Sequence, residues 1–576
     1  MVVVAVQVVI TLLEKVVFQT NMRSKIQSKK IFSSVCLSAL SALFACAAPV
    51  AHSEITALTV SSTTPIGTYK SVAYVRLEGE AVGELDPNEK IPDIEKAARL
   101  KNGRIQYKTR FVLITPKDPK KSNGGLLIDV PNRGLPISHA FYNSPRARPL
   151  PIGSLDSGVG FLEEQGFMVA AVQWELAQGI EPPTFIDEKG ATRYIEAVGF
   201  AAVRDMALYL RDSTSKQNPL AGAVKRTYAV GYSQTSRFLK SYLLHGFNTV
   251  GGKQVINGFH LVGGAAGQLP LMASGTGPAS VASSTPGPTV PEHRGVHEEP
   301  FSYDELLGKL SARKEPLPKI FVTHYNIDYM GGRASLTRTG ADGIKERPMP
   351  SSMRMYDLAG AAHLNVREQD KDCELPHGQL DWSAPLRAQL FTLNQWVARN
   401  IAPPNTTLMS LRQPRENEGV FRAPNYLPNA VVLVPVTDAD DNPVGGVRLP
   451  DVSVPLGTHG RPNAPLSKSV CRLAGSYKPF TVTAKDRAAT TDTRLSLQER
   501  YQGGLNEYVM RVREAADQLV VQRHLLPDDA AVIMNAAADE KLFTPTPTLP
   551  IFRSKGNMYN CKLDALTGKW QCLDGK

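Results

Sequence analysis

Between residues 111 and 358, short apolar runs alternate with segments of helical period, and this alternation restricts the fold more than any other property of the chain. Residues 111–115, 126–130 and 167–172 are short apolar runs bounded by Gly, Pro or Lys, and 228–230, 259–262, 320–323 and 354–358 read as further strands. Runs of this kind are strands buried on both faces. Ile195, Val198, Ala202, Met206 and Leu210 recur at the spacing of one helix face, and 234–244 and 385–398 read as further helices. Strands and helices in alternation form parallel βαβ units, so the expected class is α/β, a mostly parallel sheet covered by helices. Two segments interrupt the scheme. Residues 268–319, rich in Pro, Gly, Ser and Ala, are too long for a plain connection and sit where a lid-like insertion is expected. Beyond residue 401 a Pro-punctuated stretch leads into an amphipathic helix pattern over 496–526, read as an extension packed on the sheet domain.

Length alone, 576 residues, would suggest about four domains. The motifs instead divide the chain into 1–53, an N-terminal extension with a signal peptide; 54–400, the sheet domain with its insertion; and 401–576, the extension or subdomain. A content of 42% hydrophobic and 21% charged residues excludes disordered and fibrous classes. The net charge of +11 invites a nucleic-acid reading, but residues 1–53 carry +4 of it and the rest is dispersed. With no zinc-finger, RNP or basic-zipper pattern, no nucleic-acid partner is expected.

Arg23, Lys25, Lys29 and Lys30 precede an apolar stretch over 31–50 and then Ala51, His52 and Ser53. This is the order of a secretory signal, with translation expected from Met22 and the protein periplasmic or secreted. Cys46 offers lipid anchoring only as a minor reading, and no later stretch is apolar for long enough to span a bilayer. In an oxidising compartment the remaining cysteines are disulfide candidates, Cys561 with Cys572 across a terminal hairpin and Cys373 with Cys471.

The chemistry concentrates at Ser233. Gly231, Tyr232, Ser233, Gln234 and Thr235 lie between a strand and a helix, the context of a nucleophile elbow. There the serine is raised above the sheet, and the N–H of Gln234 faces the oxyanion that attack creates. Thr235 departs from the usual second glycine. A serine needs a base and an acid that orients it, in the chain order Ser, Asp or Glu, His. Asp328 follows the strand ending at Thr323, and His363 follows the strand 354–358. Loops leaving the carboxyl ends of parallel strands converge on one rim. Asp342 and Asp357 compete with Asp328 for the acid's role. The second oxyanion donor is expected from Arg133 or Gly134, in the loop after 126–130 that Asn132 shapes.

Val130 to Gly134, Gly166 to Val169 with Gln173 and Trp174, Gly231 to Leu239, and Arg354 to His363 together resemble a family of bacterial alpha/beta hydrolase-domain proteins. Val434 to Asp440, Gly445 to Pro450, Ser496 to Tyr501 and Leu525 to Asp529 resemble that family's C-terminal region, so the likeness covers nearly all of 55–540. It implies the α/β-hydrolase fold, with the extension part of the same unit, and a hydrolase of unnamed substrate. In the family pattern the residue before Tyr329 is usually Glu, where this chain has Asp328.

The expected function is that of an exported serine hydrolase, a carboxylic ester hydrolase acting on a small-molecule ester through an acyl-enzyme. A noncatalytic envelope or ligand-binding protein on the same scaffold, and a peptidase or acyltransferase, are the alternatives. No cofactor is expected, since no G-x-G-x-x-G or Walker A pattern follows a strand. Nor is a metal, because Gly295 and nearby Pro make His293, His297 and Glu298 a poor helical ligand set. Ser213 to Lys216 matches S-x-x-K without its usual partner motifs.

Overall fold

The computed structural model describes residues 54–146, 148–267, 269, 302–340, 342–365, 372–378, 380–415, 430–465, 469–543, 561–563 and 570–572. The signal segment, the His293/His297/Glu298 group and residues 270–301 of the expected 268–319 insertion lie outside these residues. The described residues belong to one unit, Ser53–Lys576.

β1 (Glu54–Tyr69) and β2 (Val72–Leu85) form a long antiparallel hairpin. It turns through Lys70 and Ser71, both at positive φ (44° and 68°), as a two-residue turn that follows strand twist requires. β3 (Ile105–Pro116) pairs antiparallel with β2 and with β5 (Met168–Val172). From β5 onward every neighbour is parallel: β4 (Gly125–Asp129), β6 (Arg226–Tyr232), β7 (Gly258–Val262), β8 (Lys319–Tyr325) and β9 (Met353–Leu358). The spatial order is β1-β2-β3-β5-β4-β6-β7-β8-β9, with the two-residue strand Ile180–Glu181 added to β3. After β4 the chain steps outward to β5 and then returns to the other side as β6, so the loops leaving β4 and β6 flank a switch in strand order. Crevices at such switches receive ligands in open α/β sheets.

Continuous apolar runs sort their side chains to two cores. Leu126 and Ile128 of β4 join Ala229, Phe259 and Ile320 on one face, under α1 (Val198–Asp212), α2 (Gln234–Leu244) and α3 (Tyr303–Ala312). Leu127, Val230 and Phe321 point to the other face, under Leu386, Leu390, Leu393 and Trp396 of α4 (Ser383–Arg399). The same second core takes in Val447, Val452, Phe480, Tyr501, Tyr508, Val512 and Leu519 from beyond residue 401. Backbone bridges from Tyr356 to Thr407 and from Leu358 to Val447 cover the outer edge of β9. A strand edge left open would be a site of aggregation, and the extension closes it.

Several expected elements differ in extent. The helix whose expected face includes Ile195 begins only at Val198, because Thr192–Tyr194 pairs with Thr184–Ile186 as a small hairpin. The helix over 496–526 is broken: a short turn Leu497–Arg500 precedes α5 (Gly504–Val521), with Gly504 at φ +66° making the break, and α6 (Pro527–Ala537) follows. The end of the lid-like segment is the core helix α3, whose Tyr303, Leu306, Leu307 and Leu310 are buried, so any lid ends before Ser302. Cys373 and Cys471 are joined by a disulfide. Cys561 and Cys572 are backbone partners in an antiparallel pair, while their side chains lie outside what is described. Among the described residues no helix is long and apolar enough to cross a membrane, and no group of His, Cys, Asp and Glu could hold a metal ion.

Candidate active site

β6 ends at Tyr232, and Ser233 occupies the turn into α2 with φ 51° and ψ −107°. A non-glycine residue at positive φ is strained, and here the surroundings hold it. Ser233 N–H donates to Val262 O at 2.9 Å, tying the turn to the end of β7. A Cβ on Gly231 would stand 2.4 Å from Thr235 O, so only glycine admits the returning helix. Thr235, the departure from the usual motif, is fully buried, and its hydroxyl accepts from Tyr232 N–H at 2.9 Å. The hydroxyl thus replaces space with a bond that spans the turn.

The structure brings His363 and Asp328 together. His363 Nδ1 lies 2.7 Å from Asp328 Oδ1, with both residues buried. Asp328 sits in the short helix Asn326–Gly331 after β8, and its other oxygen accepts from Tyr325 N–H at 2.8 Å. Tyr232, beside Ser233, stacks on the His363 ring at 5.0 Å between centroids, and its hydroxyl donates to His363 O. Burial pushes the Tyr232 phenol well up, which keeps it a donor. The imidazole edge reaches the β7 turn: a Cβ on Gly263 would lie 3.2 Å from His363 Cε1. Gly263 directly follows Val262, the residue that receives Ser233 N–H, so serine and imidazole rest on the same turn.

The rival carboxylates are occupied elsewhere. Asp357 accepts from Tyr329 Oη at 2.8 Å, from Met409 N–H at 2.8 Å and from Arg338 Nη1 at 3.2 Å. Asp342 accepts from the N–H groups of Ile344 and Lys345 in an exposed turn.

The loop after β4 is held at each of its residues. Trp174 Nε1 donates to Pro131 O at 2.9 Å, Asn132 Nδ2 to Tyr232 O at 2.7 Å, and Gln173 Nε2 to Gly134 O at 3.0 Å. Arg133 N–H donates to Gln234 Oε1 at 3.2 Å. Of the two expected oxyanion donors the Arg133 amide is therefore engaged, whereas the Gly134 N–H has no acceptor among the described residues. The sequence reading missed Glu175, which accepts from Gln234 Nε2 at 3.1 Å and is 3% exposed. Burial pushes its carboxyl above the usual range, against the bond from Gln234 and the nearby charge of Arg133. An acidic residue just past a buried strand and Trp174 was the available signal.

This arrangement of strand order, strained serine turn and buried His–Asp pair at one rim invites comparison with known proteins. Residues 170–535 match the family described as alpha/beta hydrolase domain. The chain belongs to that family. Matching solved structures include an S-formylglutathione hydrolase from Staphylococcus aureus (8% identity, TM-score 0.23, covering 40% of this chain and 77% of that one). A glucuronoyl esterase from Solibacter usitatus matches at 12% identity and TM-score 0.24, over 48% and 68% of the two chains. Brefeldin A esterase, a bacterial homologue of human hormone sensitive lipase, matches at 11% identity and TM-score 0.22, over 53% and 72%. Scores this low carry nothing to the substrate of this alpha/beta hydrolase. No curated protein matches it.

Proposed function

We propose that this alpha/beta hydrolase is an exported serine hydrolase that cleaves carboxylic esters of small molecules through an acyl-enzyme. The observation that carries the reading is the 2.7 Å His363–Asp328 contact against the turn that carries Ser233. Ser233 Oγ attacks the acyl carbon while His363 Nε2 takes its proton, and Asp328 holds Nδ1–H so that Nε2 is the basic nitrogen. The tetrahedral oxyanion receives the Gln234 and Gly134 N–H groups. On collapse the C–O bond to the alcohol breaks and His363 returns the proton to the departing oxygen. Water then gives a proton to His363 and its oxygen to the acyl carbon, releasing the acid and restoring Ser233. Export rests on the signal pattern in 1–53, and the Cys373–Cys471 bond agrees with an oxidising compartment.

The test is Ser233→Ala in the purified mature protein. Turnover of p-nitrophenyl esters and labelling by a fluorophosphonate probe should both vanish with the melting temperature kept. Full labelling of the variant would overturn the assignment. Faster cleavage of a p-nitroanilide than of the ester with the same acyl group would make the protein a peptidase.

A further inference from the structure

The side chain of Gln234 does something that the backbone role of its N–H does not require. It is 1% exposed, its Oε1 accepts from Arg133 N–H at 3.2 Å, and its Nε2 donates to Glu175 Oε1 at 3.1 Å. One carboxamide thus joins the residue after the serine, the loop after β4 and the loop after β5. Arg133 and Gly134 both stand at positive φ (52° and 80°), so their N–H groups point in a direction set by the turn. Gly134 O is fixed from the other side by Gln173, and a Cβ on Gly134 would fall 2.5 Å from Gln178 Oε1. The loop therefore has no freedom to present both amides to one oxygen while Gln234 keeps hold of the first. We propose that Gln234 and Glu175 are a positioning pair: the Gln234 carboxamide, anchored on Glu175, ties down the Arg133 N–H and thereby aims the Gly134 N–H at the oxyanion. The inference rests on Ser233 being the nucleophile.

Glu175 is suited to the anchor role. It lies past the end of β5 beside Trp174, and its Oε2 is buried with no hydrogen-bond partner among the described residues. Its bond to Gln234 is thus the one that fixes its orientation. The two side chains bond to each other and to the Arg133 N–H, so their loss acts through donor geometry, which matters most when charge develops on the oxygen.

Two measurements on wild type, Gln234→Met, Glu175→Leu and Glu175→Gln decide the matter. Gln234→Met keeps the buried volume and removes both hydrogen bonds. Its kcat for a p-nitrophenyl ester should fall about 100-fold with KM changed less than about twofold, the pattern of a contact made only in the transition state. Glu175→Leu should lose kcat in the same way, and Glu175→Gln, which still offers Gln234 an acceptor, should recover most of that loss. Amide hydrogen exchange, read on peptides ending either side of Arg133, supplies a readout that needs no activity. The Arg133 amide should be protected in wild type and exchange about tenfold faster in Gln234→Met, with the melting temperature held within a few degrees. Unchanged Arg133 exchange, or ester turnover within about twofold of wild type, overturns the proposal. A wild type that turns over no ester sinks the esterase reading separately, and the exchange result then still decides whether the pair holds the loop.

Discussion

Asp328 gives one carboxylate oxygen to His363 Nδ1 and the other to Tyr325 N–H, so its removal disturbs orientation as well as charge. Asp328→Asn presents an amide to the imidazole and favours the wrong tautomer. We expect kcat to fall by about 10³–10⁴ with little change in fold, measured on a p-nitrophenyl ester with circular dichroism as the control. Asp357→Asn should instead lower the melting temperature, because that carboxylate sits fully buried among Tyr329, Arg338 and Met409 N–H. Glu175 carries a pH prediction. Its native pKa is raised by burial, so between the unfolded value and the raised one the native state holds the extra proton and stability falls as pH rises. The stability difference Glu175→Gln minus wild type should therefore grow more positive on going from pH 4 to pH 8, read from urea midpoints. The places of Ser233, Asp328 and His363 just past the ends of strands were legible, because chain order and flanking strands are sequence properties. Glu175 was not, since its place is fixed by burial against Gln234, a residue 59 positions away.

At the scale of elements, the turns at the ends of β6 and β7 do the positioning, and the strands that carry them are cross-linked from within. His260, midway along β7, lies 2.7 Å from Tyr142 Oη and 2.8 Å from Gln389 Oε1, tying the strand to the helix Ser138–Tyr142 and to α4. Burial pushes its pKa down to about 4. As pH falls through the ordinary histidine range toward 4 the unfolded chain takes a proton that the native state refuses, so stability is lost, by about 3 kcal/mol in total. His260→Gln is less stable than wild type at pH 7, and the gap should narrow at pH 4.5, as denaturant titrations at the two values would show. Gly263→Ala places a methyl 3.2 Å from His363 Cε1 at a φ of +60°. Under the proposed mechanism a base displaced by even a fraction of an ångström loses rate, and we expect kcat down at least about tenfold. The buried strands were legible because both faces are apolar. β1 was not: most of its side chains are exposed, and its Ser and Thr run reads as a loop without its partner.

The whole molecule differs from a sheet domain with an appendage, because the chain beyond residue 401 lies against the loops that carry Asp328 and His363. Asn326 Nδ2, in the first turn of the helix that holds Asp328, donates to Gly460 O at 2.5 Å. Leu364 N–H, immediately after His363, donates to Leu473 O at 3.1 Å. The Cys373–Cys471 bond closes 98 residues between the same two regions. Gly460 is a tight approach: a Cβ there would lie 2.7 Å from Gly360 O and 2.8 Å from Gly360 Cα, backbone atoms that cannot swing away. At φ +76° it is also a position where a branched side chain is strained. Gly460→Val should therefore push the loop from Leu358 to His363 and lower both kcat and the melting temperature, whereas a substitution in an independent appendage would leave kcat intact. A purified Gly460→Val protein with wild-type kcat would show that the extension is mechanically separate from the site. The disulfide gives a second handle on the same coupling. In the chain-entropy view, closing a loop of this length stabilises the native state by about 4–5 kcal/mol, so Cys471→Ser should melt well below wild type. Its loss of kcat at low temperature, where it is still folded, measures how far the extension holds His363 in place.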